Sequence, residues 1–316
     1  MKKILLGYKF KKEGFSALES NFELVYPEKE YFGKEELFAL LPEFDVLVPS
    51  FKFQIDKELI DRGCNLRLIA NFGVGYNNID IEYAASKGIT VANTPTSVLE
   101  PTAELCFGLI LSTARRIAFC DRHLRSQESL PWGLYDNLGV SVYGKTLGIY
   151  GMGRIGQAVA RRAVASGMNI LYHNRQPLAK DIEERYNARY VNFDELLTLS
   201  DFLSLNAPAT KDTFHIISER ELNMMKPSAI LINTSRGTLV DESALIDALK
   251  QNKILGASLD VYENEPHFSP ELRILENTVL TPHVGTQTYE ARLSMQKEVV
   301  SNILGYFSGK EISKVN

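Results

Sequence analysis

Between Lys145 and Asn174 the chain spells out a strand, TLGIY, a glycine-rich turn, Gly151-Met-Gly153-Arg-Ile-Gly156, a helix, RIGQAVARRAVASG, and a second strand, NILYH. Two strands joined through a crossover helix run parallel, because only a hairpin reverses the chain between paired neighbours. Parallel sheets carry helices on their faces, so their strands are short, nearly continuous apolar runs. Such runs recur along the chain. KILLGY, FELVYP, DVLVP, LRLIANFG and ITVANTP form a first series, with helical stretches such as IDKELIDRG and IEYAASKG between them. TLGIYG, NILYHN, DFLSLNAP, AILINTS, ILGASLDV and NTVLTPH form a second. The alternation predicts an α/β chain of two parallel-sheet units.

A length of 316 residues is generous for one core and suits two domains. The two series are joined by a segment of different character, Leu99 to Arg125, whose run TAELCFGLILSTARRIAF is apolar nearly all round. Such a helix is expected to be buried on several sides, between domains or subunits. The last segment, Gln287 to about Phe307, is again helical in pattern. A lone helix has no core of its own, so it is expected to return to the first unit. The expected division is a discontinuous domain of residues 1–98 and 287–316 and a second domain of residues 99–286.

The formal charge is −4 with both signs interspersed, so no basic stripe tracks a phosphodiester backbone and nucleic acid is excluded as a partner. No apolar run is long enough to span a bilayer, and the apolar start Ile4-Leu5-Leu6 is cut short by Lys9, Lys11 and Lys12, so it reads as a strand and not a leader. Cys64, Cys106 and Cys120 lack CxxC spacing and are expected to be small buried residues, reduced in a cytoplasmic setting. The five histidines form no HExxH or similar pattern, so no metal is implied.

A GxGxxG match alone is weak; here strand, turn, helix and second strand supply the context it needs. Gly151 allows the tight turn, Gly153 the close approach of a pyrophosphate and Gly156 the packing of helix on strand. Arg154 and Ile155 then open the helix, whose N–H groups face the phosphates. An acidic residue at the end of the second strand would bind the adenosine ribose of NAD. This chain has His173-Asn174-Arg175. With no carboxylate to repel a 2′-phosphate and a guanidinium to bind it, NADP(H) is favoured. The alternative, Arg175 as a solvated turn cation with Asp181 and Glu183 not far downstream, leaves NAD(H) open.

Three polar groups follow apolar runs of the second series: Arg236 after AILINTS, Glu265 after ILGASLDVYEN and His283 after NTVLTP. Each by itself has a bland reading, as a surface cation, a turn residue before proline and a structural histidine. Open α/β sheets, however, bind ligands beyond the carboxyl ends of their strands, where these residues would stand with the glycine turn. An anion clamp, a carboxylate and an imidazole facing a dinucleotide suit hydride transfer.

With these motifs assembled, the chain resembles the D-isomer-specific 2-hydroxyacid dehydrogenases, in particular their glyoxylate and hydroxypyruvate reductase branch. The resemblance covers nearly the whole chain: NFGVGYNNID at 71–80, TAELCFGLILSTARR at 102–116, GKTLGIYGMGRIGQAVARR at 144–162, LNAPATKDT at 205–213, INTSRGTLVDESAL at 232–245, LDVYENEP at 259–266 and TPHVGTQT at 281–288. It implies two Rossmann-like or flavodoxin-like domains with the active site in the cleft between them, a homodimer, and reduction of small 2-oxo acids to D-2-hydroxy acids. Glyoxylate, hydroxypyruvate and 2-ketogluconate are the expected substrate class. Phosphoglycerate dehydrogenase and a dinucleotide-sensing transcriptional corepressor stand as alternatives on the same fold.

Carried over residue by residue, Arg236 binds substrate, His283 is the acid/base and Glu265 is its carboxylate partner. The chemistry asks for these types: Arg236 offers parallel N–H donors to a 2-oxo acid, His283 supplies the proton that the carbonyl oxygen gains, and Glu265 raises the imidazole pKa. The resemblance assigns the substrate carboxylate to the Val74 and Gly75 amides and substrate selection to Phe51, which on size alone could equally be core. It adds cofactor contacts at Thr102, Arg154, Ile155, Pro208, Thr213, Thr234, Asp260 and Gly285. Asp260 would accept from the nicotinamide carboxamide or cap a local turn. Trp132, the one tryptophan, lies in a loop that in related reductases reaches a neighbouring subunit's site. The departure from the family pattern is Asn174 in place of the usual acidic residue.

Overall fold

Strands with both faces covered frame the computed structural model, which describes residues 1–49, 53–126 and 130–316. In the first sheet, β1 (Lys2–Leu6), β2 (Phe22–Val25), β3 (Val46–Val48), β4 (Leu68–Ala70) and β5 (Thr90–Ala92) lie in the order β2-β1-β3-β4-β5, all parallel. Successive side chains of a strand point to opposite faces. Thus Leu5, Leu47, Ile69 and Val91 enter one apolar cluster, while Ile4, Leu6, Val46, Val48, Leu68 and Ala70 enter the other. That second cluster is closed by Val299, Val300 and Ile303 of the C-terminal helix Tyr289–Ser308. Beyond the helix the chain runs back along β5, where Val315 N–H donates to Val91 O and Lys314 bridges Ala92 antiparallel.

The second sheet holds β6 (Thr146–Tyr150), β7 (Asn169–His173), β8 (Ala188–Tyr190), β9 (Phe202–Leu205), β10 (Ile230–Asn233), β11 (Gly256–Leu259) and β12 (Thr278–Leu280), in the order β12-β11-β10-β9-β6-β7-β8. All its pairs are parallel. The chain winds outward from β6 through β7 to β8, then returns to the other side of β6 with β9. The direction reverses between β6 and β9, the switch point where doubly wound sheets take their ligands. Both sheets are of the Rossmann-like or flavodoxin-like type. The chain divides into two compact units, residues 1–98 with 286–316 and residues 99–285.

Three readings of the sequence need correction. The apolar segment after Leu99 is two helices, Leu99–Ala114 and Ile117–Arg125, broken at Arg116 with φ 54°. The break follows from a tertiary bond, since Val140 N–H takes the Ala114 carbonyl at 2.7 Å. The first helix packs Ala103, Cys106, Leu109 and Ile110 on Leu147, Ile149 and Ile230 of its own unit's sheet, whereas the second buries no residue. Strand β8, an edge of alternating exposure, carries too short an apolar signal to stand out in the sequence. Of the cysteines only Cys106 is buried, and Cys64 is exposed. Among the described residues no helix is long and apolar enough to cross a membrane, and no group of His, Cys, Asp or Glu is arranged to hold a metal ion.

Candidate active site

The neighbouring strands β10, β11 and β12 deliver Arg236, Glu265 and His283 to one edge of the second sheet. After β10 the buried Asn233 shapes the turn, accepting from Ser235 N–H at 3.1 Å and donating to Arg236 O at 2.9 Å. The next residue, Gly237, touches the turn after β11; a Cβ there would fall 1.9 Å from the Tyr262 carbonyl carbon. This contact brings the arginine turn against the segment that leads to Glu265. The half-buried Arg236 donates through Nη1 to Ser235 O at 2.5 Å. Burial pushes its guanidinium pKa down and the Glu265 charge opposes that shift. From so high an ordinary value it remains a cation at neutral pH.

Glu265 and His283 form a pair, with Oε2 to Nδ1 at 2.7 Å. Glu265 Oε1 accepts from Tyr262 N–H at 3.0 Å, which turns the carboxylate toward the imidazole. Burial pushes the Glu265 carboxyl up, but the His283 hydrogen bond and charge, the Tyr262 N–H and the Arg236 charge together hold it below its ordinary value. An ionised carboxylate only accepts, so Nδ1 carries its hydrogen toward Glu265. The two side chains keep 43% and 31% of their surface exposed, for His283 and Glu265 respectively, so the pair is within reach of a ligand.

His283 has φ 52°, a left-handed conformation that is uncommon outside glycine and is held only by surrounding bonds. Those bonds converge on Asp260. His283 N–H donates to Asp260 O at 2.8 Å, Thr281 Oγ1 and Val284 N–H donate to Oδ1 at 2.6 and 2.7 Å, and Gly285 N–H donates to Oδ2 at 2.9 Å. The Asp260 side chain is 1% exposed, and burial pushes its carboxyl pKa up against these donors. Thr102 meets the same place, since a Cβ on Gly285 would lie 3.3 Å from Asp260 Oδ2 and 3.6 Å from Thr102 Oγ1.

The glycine turn follows β6 at the switch point. Gly151 has φ 90°, and a Cβ there would stand 2.7 Å from Ala207 N beyond β9. At Gly156 a Cβ would reach Gly151 O at 2.6 Å, so the helix Arg154–Ala165 starts hard against the turn. At Gly153 a Cβ would meet nothing within 4 Å, the open approach a pyrophosphate needs. Beside the turn, the buried Asn206 Oδ1 after β9 has no hydrogen-bond partner among the described residues. A dinucleotide, with donors of its own, fits such a surface, and Arg154 and Ile155 begin the helix that faces it. Asn206 escapes sequence reasoning because asparagine after a strand is a common turn residue.

At the far end of β7, Asn174 Oδ1 accepts from Met152 N–H at 2.7 Å, bracing the glycine turn. Arg175 is exposed and close enough to bias the Tyr150 hydroxyl electrostatically. Of the acids downstream, Glu183 is engaged by Tyr172 Oη at 2.6 Å and Asp181 is exposed in the first turn of a helix. Thr213 Oγ1 donates to Pro208 O at 2.8 Å, so these two residues form one turn. His215 in that region also escapes a sequence reading. It has φ 49° and bonds Glu263 Oε1 through Nε2 at 2.8 Å, two residues before Glu265.

Val74 and Gly75 belong to the other unit, in the loop after β4. Phe51 lies outside the described residues. Trp132 is 90% exposed.

Residues 107–285 match the model of the D-isomer specific 2-hydroxyacid dehydrogenase NAD binding domain. The chain is 44% identical to a glyoxylate reductase of Thermococcus litoralis over 98% of its own length and 94% of that protein. Among solved structures it resembles a glyoxylate reductase from Paecilomyes thermophila with a TM-score of 0.90 and 37% identity, covering 99% of this chain and 98% of that one. It also resembles an NADPH-dependent glyoxylate/hydroxypyruvate reductase from Sinorhizobium meliloti, solved with NADP and malonate, at a TM-score of 0.86 and 32% identity over 99% and 96% of the two chains. A likeness this long at this identity is one of common descent: the chain belongs to the D-isomer specific 2-hydroxyacid dehydrogenase family, a family of NAD(P)-dependent enzymes, in its glyoxylate reductase branch.

Proposed function

We propose that this enzyme reduces a small 2-oxo acid to the D-2-hydroxy acid, glyoxylate or hydroxypyruvate first and 2-ketogluconate next, with NADPH as the favoured reductant. The observation that carries the reading is the Glu265–His283 pair at 2.7 Å on strand ends adjoining the Arg236 turn. Arg236 is the cation for the substrate's oxygens, and its planar fork suits a carboxylate or a carbonyl oxygen gaining charge. With Nδ1 engaged by Glu265, His283 Nε2 is the atom we assign to proton delivery to the carbonyl oxygen, and to proton removal from the hydroxyl in oxidation. Glu265 keeps the ring oriented and offers a negative partner to the imidazolium. The Val74 and Gly75 amides hold the substrate carboxylate. Gly151, Gly153, Arg154, Ile155 and Gly156 hold the pyrophosphate, and Thr102, Thr234, Asp260 and Gly285 the nicotinamide end. The bound dinucleotide supplies the hydride.

The NADPH preference is supported by Asn174 where an acid would repel a 2′-phosphate, by the exposed Arg175 beside it, and by the engagement of Glu183 with Tyr172. A homodimer is the assembly we infer, because Trp132, Leu134, Tyr135, Leu138 and Tyr143 expose a run of large apolar side chains. Light scattering at the 35.5 kDa mass of one chain would refute it.

The test of function is the initial rate of NADPH against NADH oxidation, at matched concentrations, with glyoxylate, hydroxypyruvate, pyruvate and 2-ketogluconate. Faster turnover with NADPH on one of these acids, its loss in His283→Gln and a shift toward NADH in Arg175→Ala are expected. Turnover with none of the four acids, or full activity in His283→Gln, would overturn the reading.

A further inference from the structure

The loop after β4 carries Val74 and Gly75, and its peptide orientations are set by buried asparagines from two strand ends. Asn71 Nδ2 donates to Gly73 O at 3.0 Å and to Gly75 O at 2.8 Å. Asn93 Nδ2 donates to Val74 O at 2.8 Å, and Thr94 N–H donates to Gly73 O at 3.1 Å. Three successive carbonyl oxygens are therefore each held by a group at the end of β4 or β5. In a planar trans peptide the N–H points opposite to the C=O. With the carbonyls of 73, 74 and 75 held, the amides of Val74, Gly75 and Tyr76 each point away from the asparagine that holds the carbonyl of the same peptide. Among the described residues, none of these three N–H groups donates to a protein acceptor. Partly buried amides without acceptors are rare in folded proteins and call for a ligand or water.

The asparagines are themselves fixed. Asn71 and Asn93 are 3% and 6% exposed, and Asn71 N–H donates to Ala92 O at 2.7 Å. Asn93 O accepts from Asn302 Nδ2 at 2.8 Å, and Asn93 N–H donates to Ser313 O at 3.0 Å. Asn302, 4% exposed on the C-terminal helix, accepts from Ser313 N–H through Oδ1 at 3.0 Å. The network joins β4, β5, the last helix and the tail behind the loop.

We propose that Asn71 and Asn93 are positioning residues for substrate: by pinning the carbonyls of residues 73–75 they present Val74, Gly75 and Tyr76 N–H as three donors to the carboxylate of a 2-oxo acid. Tyr76 N–H is thereby a third donor beside the two already assigned, and the inference rests on that assignment of Val74 and Gly75. Loss of either asparagine frees a peptide to flip, which replaces a donor by a carbonyl oxygen that repels the anion.

The test uses the holoenzyme with hydroxypyruvate as substrate and oxalate as an unreactive carboxylate. Asn71→Ala and Asn93→Ala are each expected to raise the hydroxypyruvate KM and the oxalate inhibition constant at least tenfold, in parallel. The Kd for NADPH is expected to stay within twofold, which separates this effect from general loosening of the fold. Val74→Pro, which deletes one donor, tests the underlying assignment. A raised KM in Val74→Pro with unchanged KM in both asparagine variants overturns the inference and leaves the assignment standing, whereas no effect of Val74→Pro on KM or oxalate overturns the assignment itself. Should the variants not fold, amide NMR of the unaltered enzyme decides. Saturation with oxalate is expected to shift the Val74, Gly75 and Tyr76 resonances, and a stationary Tyr76 resonance refutes the three-donor site.

Discussion

Replacing Asp260 by asparagine isolates the anchor of the histidine loop. The carboxylate accepts two bonds at Oδ1, from Thr281 and Val284, and one at Oδ2, from Gly285. A carboxamide that keeps the pair at its oxygen turns its NH2 toward the Gly285 N–H, donor against donor at what was 2.9 Å. One charge-assisted bond is lost and one buried amide is left unpaired, a cost of about 2–4 kcal/mol. The burial that pushes the Asp260 pKa up means that removing the charge returns part of this, leaving about 2 kcal/mol. Expressed wholly in placing His283, which needs its left-handed backbone, that lowers kcat roughly 30-fold at about 1.4 kcal/mol per tenfold. The assay is kcat and KM for hydroxypyruvate at saturating NADPH, with hydrogen exchange at the Val284 and Gly285 amides. We expect kcat to fall and exchange at both amides to accelerate in Asp260→Asn. A kcat within threefold of the parent with unchanged exchange would refute the anchoring argument, and an effect confined to NADPH affinity would give Asp260 to the nicotinamide alone.

Glu265 has a folded pKa below its ordinary value of 4.5, so its stabilising contribution is present above that value and disappears as pH falls through the folded one. Urea unfolding should therefore show Glu265→Gln less stable than the parent at pH 7, with the gap closing as pH falls below 4.5; a gap constant from pH 7 to 3 would contradict the ion pair. Gly151→Ala places a side chain at φ 90° and 2.7 Å from Ala207 N. The strain, at least about 1–2 kcal/mol, should lower the melting temperature and weaken NADPH binding tenfold or more, and an unchanged Kd would argue against the turn as the pyrophosphate site.

Much of this protein is written locally. Between Thr146 and His173 an apolar run, a glycine turn and an amphipathic stretch each declare their own conformation, because strand burial, left-handed turns and helical faces depend on near neighbours in the chain. The order of such units then specifies a doubly wound parallel sheet, and the ordered motifs specify the family. Local pattern is silent where a distant partner decides. The helix after Leu99 stops because Val140 takes the Ala114 carbonyl, and Cys64 is exposed because nothing distant covers it. The residue types at the ends of β10, β11 and β12 stand in the sequence; the 2.7 Å between Glu265 and His283, and the grip of Asp260 on residues 281–285, exist only once three strands are paired. Asn71 and Asn93 look like ordinary turn residues, and their hold on three carbonyls comes from the side-by-side placement of β4 and β5. Hydrogen bonds between residues far apart in the chain are a property of the closed fold, since each requires the backbone entropy of everything between its partners to have been surrendered first.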